Sequence, residues 1–132
     1  KPDVYITIED ANYNELYKST TYEDINNSSL PKTYSVYYSI TNLSSYYWIN
    51  VYDEDVIDDD ELMGYVSWAP YQYTSTEPTS CNLSNSANDL DLTLKLSWYD
   101  AKGEEMYSKD ARIVNGVGLS NDIEVLEALR VK

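Results

Sequence analysis

Leu90-Asp91-Leu92-Thr93-Leu94-Lys95-Leu96-Ser97-Trp98 alternates apolar and polar side chains without a break. A period of two puts the four leucines and Trp98 on one face and Asp91, Thr93, Lys95 and Ser97 on the other, which is a β-strand with one buried side. The same alternation recurs upstream. Val4, Ile6 and Ile8 alternate with Tyr5, Thr7 and Glu9; Tyr34, Val36, Tyr38 and Ile40 with Ser35, Tyr37 and Ser39; Tyr47, Ile49 and Val51 with Trp48, Asn50 and Tyr52. Leu16 to Tyr22 reads as a return strand after the turn-forming Asp10–Glu15, and Leu62 to Ala69 as a further strand around Gly64.

Between these runs, 26–31 is a loop by composition, and Pro70 to Asn88, polar and holding two prolines, reads as a long surface loop. Asp100 to Gly103 ends the leucine-rich strand with a turn. Glu105 to Val114 is read as another strand. Asn121-Asp122-Ile123-Glu124 has the form of a capping box opening a short C-terminal helix, while Ile123 and Val125 equally suit the start of an edge strand; the pattern leaves both open. Six or seven strands with mostly short connections predict an all-β fold, an antiparallel Greek-key β-sandwich, in a single domain over 1–132.

Composition excludes several functions. The 132 residues carry a formal net charge of −14, from 9 basic and 23 acidic side chains. Such a surface repels nucleic acid and, without a bridging cation, anionic lipid. Histidine is absent, removing the commonest general base and the commonest ligand of transition metals. The single Cys81 has no partner for an internal disulfide and no histidine to activate it. No set of base, nucleophile and oxyanion donors can be assembled, so the chain is read as non-enzymatic. No run is long and apolar enough for a transmembrane helix. The opening Lys1-Pro2-Asp3 leads straight into a strand and reads as a trimmed start, from which an export signal is expected to be missing. Richness in Tyr, Asn, Ser and Thr leans towards an extracellular or cell-surface protein. The Asn-x-Ser sequons at Asn26, Asn27, Asn42 and Asn82 are what such composition produces by chance.

One stretch breaks the alternation. Asp53 to Glu61 holds seven acids in nine residues. So many carboxylates repel one another, and a calcium ion, which takes about six to eight oxygens at flexible angles, relieves the repulsion. Asp53 and Asp55 project to the same side of an extended segment, and Glu61 or Asp60 can close the cage from the other wall of the loop. An EF-hand is ruled out. Counted from Asp53, the fifth position is Ile57, the sixth is Asp58 and not glycine, and the twelfth is Gly64 and not glutamate. A solvated, metal-free acidic loop is the plain alternative.

Trp48 to Asp55 followed by Val56 to Gly64 resembles the sixth strand, third calcium loop and seventh strand of C2 domains. That family carries an Asp-x-Asp pair after a strand, a further acid six residues later, and a glycine three residues beyond; Asp53, Asp55, Glu61 and Gly64 stand at those spacings. Pro2-Asp3-Val4-Tyr5-Ile6 resembles the end of the family's first calcium loop, which makes Asp3 a ligand, and Leu30 to Tyr34 its entry to the fifth strand, with tyrosine for tryptophan. The resemblance covers residues 1 to about 69, and small C2-like domains of secreted bacterial proteins look nearest. It implies Asp53, Asp55 and Glu61 as calcium ligands, then Asp3, Asp58 and Asp60, with the Glu54 carbonyl as a further donor. It also puts Glu23 and Asp24 at the metal end and the turn at Asn12–Glu15 at the opposite end. The first two strands of a standard C2 domain are missing; either a C-terminal strand takes their place, as in a permuted topology, or the sandwich is reduced.

The function so implied is that of a calcium-binding accessory module at a cell surface, whose ion bridges to a protein, carbohydrate or membrane ligand. The alternative is a metal-free structural or adhesive domain that binds protein or carbohydrate through its 15 tyrosines and 3 tryptophans. Trp48, Trp68 and Trp98 with Tyr46, Tyr71 and Tyr73 would supply such a platform, though aromatic rings on strands serve at least as naturally as core.

Overall fold

The structure is a computed structural model and describes residues 2–25, 32–36, 38–88, 90–100, 105–106 and 114–127. Ten strands are described: β1 (Val4–Glu9), β2 (Glu15–Lys18), β3 (Lys32–Ser35), β4 (Tyr38–Ile40), β5 (Tyr47–Asp53), β6 (Glu61–Trp68), β7 (Ser80–Asn85), β8 (Leu90–Asp100), β9 (Glu105–Met106) and β10 (Val114–Glu127). They form two antiparallel sheets. The first has the order β2-β1-β5-β6; the second runs β3-β10-β8-β7, with β4 also on β10 and β9 on β8.

The two sheets share one core, because each alternating run turns its apolar face to the same side. β1, β5 and β6 contribute Val4, Ile6, Ile8, Ile49, Val51, Val66 and Trp68. β8 contributes Leu90, Leu92, Leu94, Leu96 and Trp98, all at 3% exposure or less. Each such side chain stabilises the fold by roughly 1.5–3 kcal/mol through removal from water. Tyr34 is buried among them, and its hydroxyl donates to the Val4 carbonyl at 2.8 Å, so the ring's one polar atom is satisfied.

Several sequence expectations are corrected. The stretch from Pro70 to Asn88 is not one loop. It holds a single 3₁₀ turn at Pro70–Gln72, strand β7, and a second turn at Ser86–Asn88. β7 escapes notice because it lies at the edge of its sheet and turns only Cys81 and Leu83 towards the core. The third expected strand is two, β3 and β4, which pair with different stretches of β10. The C-terminal helix is not formed. Asn121–Glu124 lies within β10, and β10 is no edge strand, since it pairs with β3 and β4 on one side and β8 on the other. Cross-strand pairing on both sides overrides the local capping pattern. Of the strand expected over Glu105–Val114, β9 and the start of β10 are described; residues 107–113 lie outside the described residues, as do the loop at 26–31 and the turn residues 101–103. No helix among the described residues is long and apolar enough to cross a membrane.

Register fixes what sits at each end of the first sheet. Val4 pairs with Asp53 and Glu9 with Trp48, so the acidic loop after β5 and the turn after β1 lie at opposite ends.

Candidate metal centre

Asp53 is the last residue of β5 and Glu61 the first of β6, and the two are cross-strand partners. Asp55 follows two residues after Asp53, on the loop between them. One carboxylate oxygen from each of Asp53, Asp55 and Glu61 lies within 4.8 Å of the others. Two oxygens bound to one calcium ion stand at most about 5.2 Å apart, twice a bond of roughly 2.6 Å, so each pair of the trio lies within calcium's reach. Magnesium, with bonds of about 2.1 Å, would need every pair inside about 4.2 Å and octahedral geometry. Asp53 is half-buried while Asp55 and Glu61 are exposed, so the group opens to solvent.

The loop is held from several sides. Asp60 lies outside the trio and acts as a brace: its Oδ1 accepts from the Asp55 backbone N–H at 2.9 Å and its Oδ2 from the Tyr5 hydroxyl at 2.6 Å. The Tyr5 bond and then the Asp55 bond hold the Asp60 carboxyl below its usual pKa, because both favour the ionised form. Burial, reinforced by the bond to Asp60, raises the Tyr5 phenol well above its ordinary value and keeps it a donor. Lys18 lies over the Tyr5 ring at 4.4 Å, and Tyr52 stacks on it at 5.3 Å.

Asp3 adjoins the trio. Its backbone N–H donates to Asp53 Oδ1 at 3.1 Å, its carbonyl accepts from Glu54 N–H at 2.7 Å, and its Oδ1 accepts from the Asp24 N–H at 2.9 Å. The Glu54 carboxylate accepts from Thr21 Oγ1 at 2.7 Å. Tyr22 bridges to Val4, so Glu23 and Asp24 lie at the acidic end. Asp58 is exposed on the loop and is not part of the trio.

Two residues that sequence reasoning passed over stand out here. Val56 and Ile57, at the tip of the acidic loop, are 96% and 94% exposed. Their signal was available as an apolar pair inside a block of carboxylates. Of the aromatic set, Trp68 and Trp98 serve as core at 1% and 2% exposure, while Trp48 is half-buried and Tyr46 and Tyr71 are exposed. Cys81 is half-buried and its thiol is pushed up to about 11 by burial, the opposite of an activated nucleophile.

No protein-family model matches this chain, and no curated protein is similar to it.

Proposed function

We propose that this chain is a permuted C2-like module that binds calcium through Asp53, Asp55 and Glu61 and uses the ion, without catalysis, to dock on an anionic group at a cell surface. The observation that carries the reading is the convergence of three carboxylates within 4.8 Å at a strand-bounded loop. Three protein oxygens leave roughly three to five positions of a calcium shell for water, backbone carbonyls and a partner. A site open to solvent suits bridging better than a closed cage does. The exposed Val56–Ile57 tip offers apolar contact beside the ion. The permuted topology draws support from β8 and β10, C-terminal strands that occupy inner places in the second sheet.

Few carboxylates and an open shell belong with weak affinity, a Kd of about 0.1–1 mM, which suits the calcium levels met outside cells. Isothermal titration with calcium is expected to give one site in that range, no comparable heat from magnesium, and loss of the signal in Asp53→Asn/Asp55→Asn. Equal calcium heat in the wild type and the double variant would overturn the assignment.

A further inference from the structure

The outer face of the first sheet carries a second feature, centred on Trp48 and reaching at its far edge to Tyr52 and Leu62, which adjoin Asp53 and Glu61. Trp48, half-buried at the Glu9-paired end of β5, is the shared wall of two adjoining clefts of about 420 Å³ and 340 Å³. Both volumes fall in the range of small-ligand sites, roughly 300–1,000 Å³. Tyr13 lies nearly parallel to Trp48 (7° between planes, centroids 6.3 Å apart), while Tyr46 and Tyr65 meet it at 89° and 80°. Tyr13, Tyr46, Tyr65 and Tyr71 remain 70%, 41%, 42% and 50% exposed around it.

The larger cleft also holds polar groups. Asn50, only 5% exposed, donates through Nδ2 to Thr7 Oγ1 at 3.2 Å and to the Glu9 carboxylate. A buried amide and a carboxylate are thus set among aromatic rings.

The turn that carries Tyr13 is built to hold it there. Tyr13 has φ of 65°, a left-handed backbone that glycine takes freely and a residue with a Cβ takes only at a cost. Asp10 fixes that turn: its carbonyl accepts from the Tyr13 N–H at 3.0 Å, and its carboxylate accepts from the Asn12 and Asn14 N–H groups, each at 2.9 Å. An exposed ring held at a conformational cost over a cleft is pre-organised for something other than stability.

We propose that this face binds a neutral oligosaccharide, with Trp48 and Tyr13 as stacking surfaces and Glu9 and Asn50 as the hydrogen-bonding end. The chemistry selects the ligand. Glu9 and a net charge of −14 repel anions. Aromatic rings offer apolar area and polar tips together, which matches a sugar ring with C–H faces and hydroxyl edges. Two clefts sharing one wall suit an elongated ligand better than a compact ammonium ion, the other group that aromatic rings and a carboxylate attract.

The test is fluorescence titration of the whole chain with cellotetraose, chitotetraose and xylotetraose, with tetramethylammonium as the competing ligand class. Because Trp68 and Trp98 are buried, a surface ligand perturbs Trp48. Saturable change with at least one tetrasaccharide, retained in chelator, is expected. Tyr13→Gly, which takes the left-handed turn without strain, is expected to fold normally and to weaken binding about tenfold, the loss of one strong contact. Trp48→Ala, followed by calorimetry, is expected to abolish it. No saturable change at millimolar sugar, a response to tetramethylammonium alone, undiminished binding in Tyr13→Gly, or binding lost in chelator would each overturn the proposal.

Discussion

Asp53 and Glu61 stand directly opposite each other across the β5–β6 pair, two carboxylates in a position where opposite charges would stabilise the pairing. Like charges in this position oppose pairing, by roughly 0.2–1 kcal/mol. The hairpin keeps its register because Val51, Ile49 and Tyr47 on β5 are buried beside Val66 and Trp68 on β6, and a one-residue slip would turn that set outward. The repulsion is therefore tolerated locally, and a cation is the natural relief.

Removing one of the charges should act in opposite directions with and without the ion. In chelator, Glu61→Gln is expected to raise the unfolding free energy by up to about 1 kcal/mol, as the repulsion across the pair is removed. In millimolar calcium the same variant should be less stable than the wild type, since it has lost a ligand. Urea unfolding under the two conditions measures both signs.

The brace on Asp60 makes the loop's stability depend on pH. Its carboxyl is held below its ordinary value by the Tyr5 hydroxyl, so the folded pKa is depressed relative to the unfolded chain. That contribution is complete above the unfolded value, about 3.9, and is lost as pH falls through the folded one. Tyr5→Phe should therefore lower the melting midpoint by a few degrees at neutral pH, with the gap between variant and wild type closing in acid. A gap independent of pH would mean that the hydroxyl matters only through packing.

The alternation of β8 is legible because burial and polarity switch at nearly every residue; in β1 and β5 the aliphatic side chains still alternate, although Tyr5, Thr7 and Asn50 on the other face are buried too. β7 was not legible, since an edge strand of Ser80, Asn82 and Ser84 on one side and Cys81 and Leu83 on the other buries little. β10 was hidden for another reason: Gly116 and Gly118 weaken the strand signal, and Asn121–Glu124 mimics a helix start. Its identity comes from the partners on either side, which no local window contains. The convergence of Asp53 and Asp55 with an acid from the far wall of the loop was legible from spacing, which left Glu61 and Asp60 open; the resemblance to C2 domains put Glu61 first. That Asp60 turns to Tyr5 was not legible, because Tyr5 lies 55 positions away and meets the loop only through the pairing of β1 with β5.

Cys81 should behave as a packing residue. With its thiol pushed up to about 11, little thiolate exists at neutral pH. Reaction with a thiol-specific disulfide reagent is expected to be slow in the native protein and to rise sharply in denaturant. Fast native labelling would contradict the burial described for β7.

Val56 and Ile57 carry almost no burial, so Val56→Ser/Ile57→Ser should leave the melting midpoint unchanged within a degree or so. If the tip contacts a partner beside the ion, the same double variant should weaken calcium-dependent sedimentation with phosphatidylserine vesicles. Loss of stability in the variant, or unaltered vesicle association where the wild type binds, would remove the tip from the docking surface.

The central claim is that the carboxylates of Asp53, Asp55 and Glu61 form a calcium site of the native state, and thermal melting in chelator and then in millimolar calcium, with magnesium as control, tests it most directly. Binding to the folded chain alone raises the midpoint by mass action. The account expects a calcium-specific rise that disappears in Asp53→Asn/Asp55→Asn. An identical midpoint in chelator and calcium, or an equal rise with magnesium and in the double variant, would contradict it.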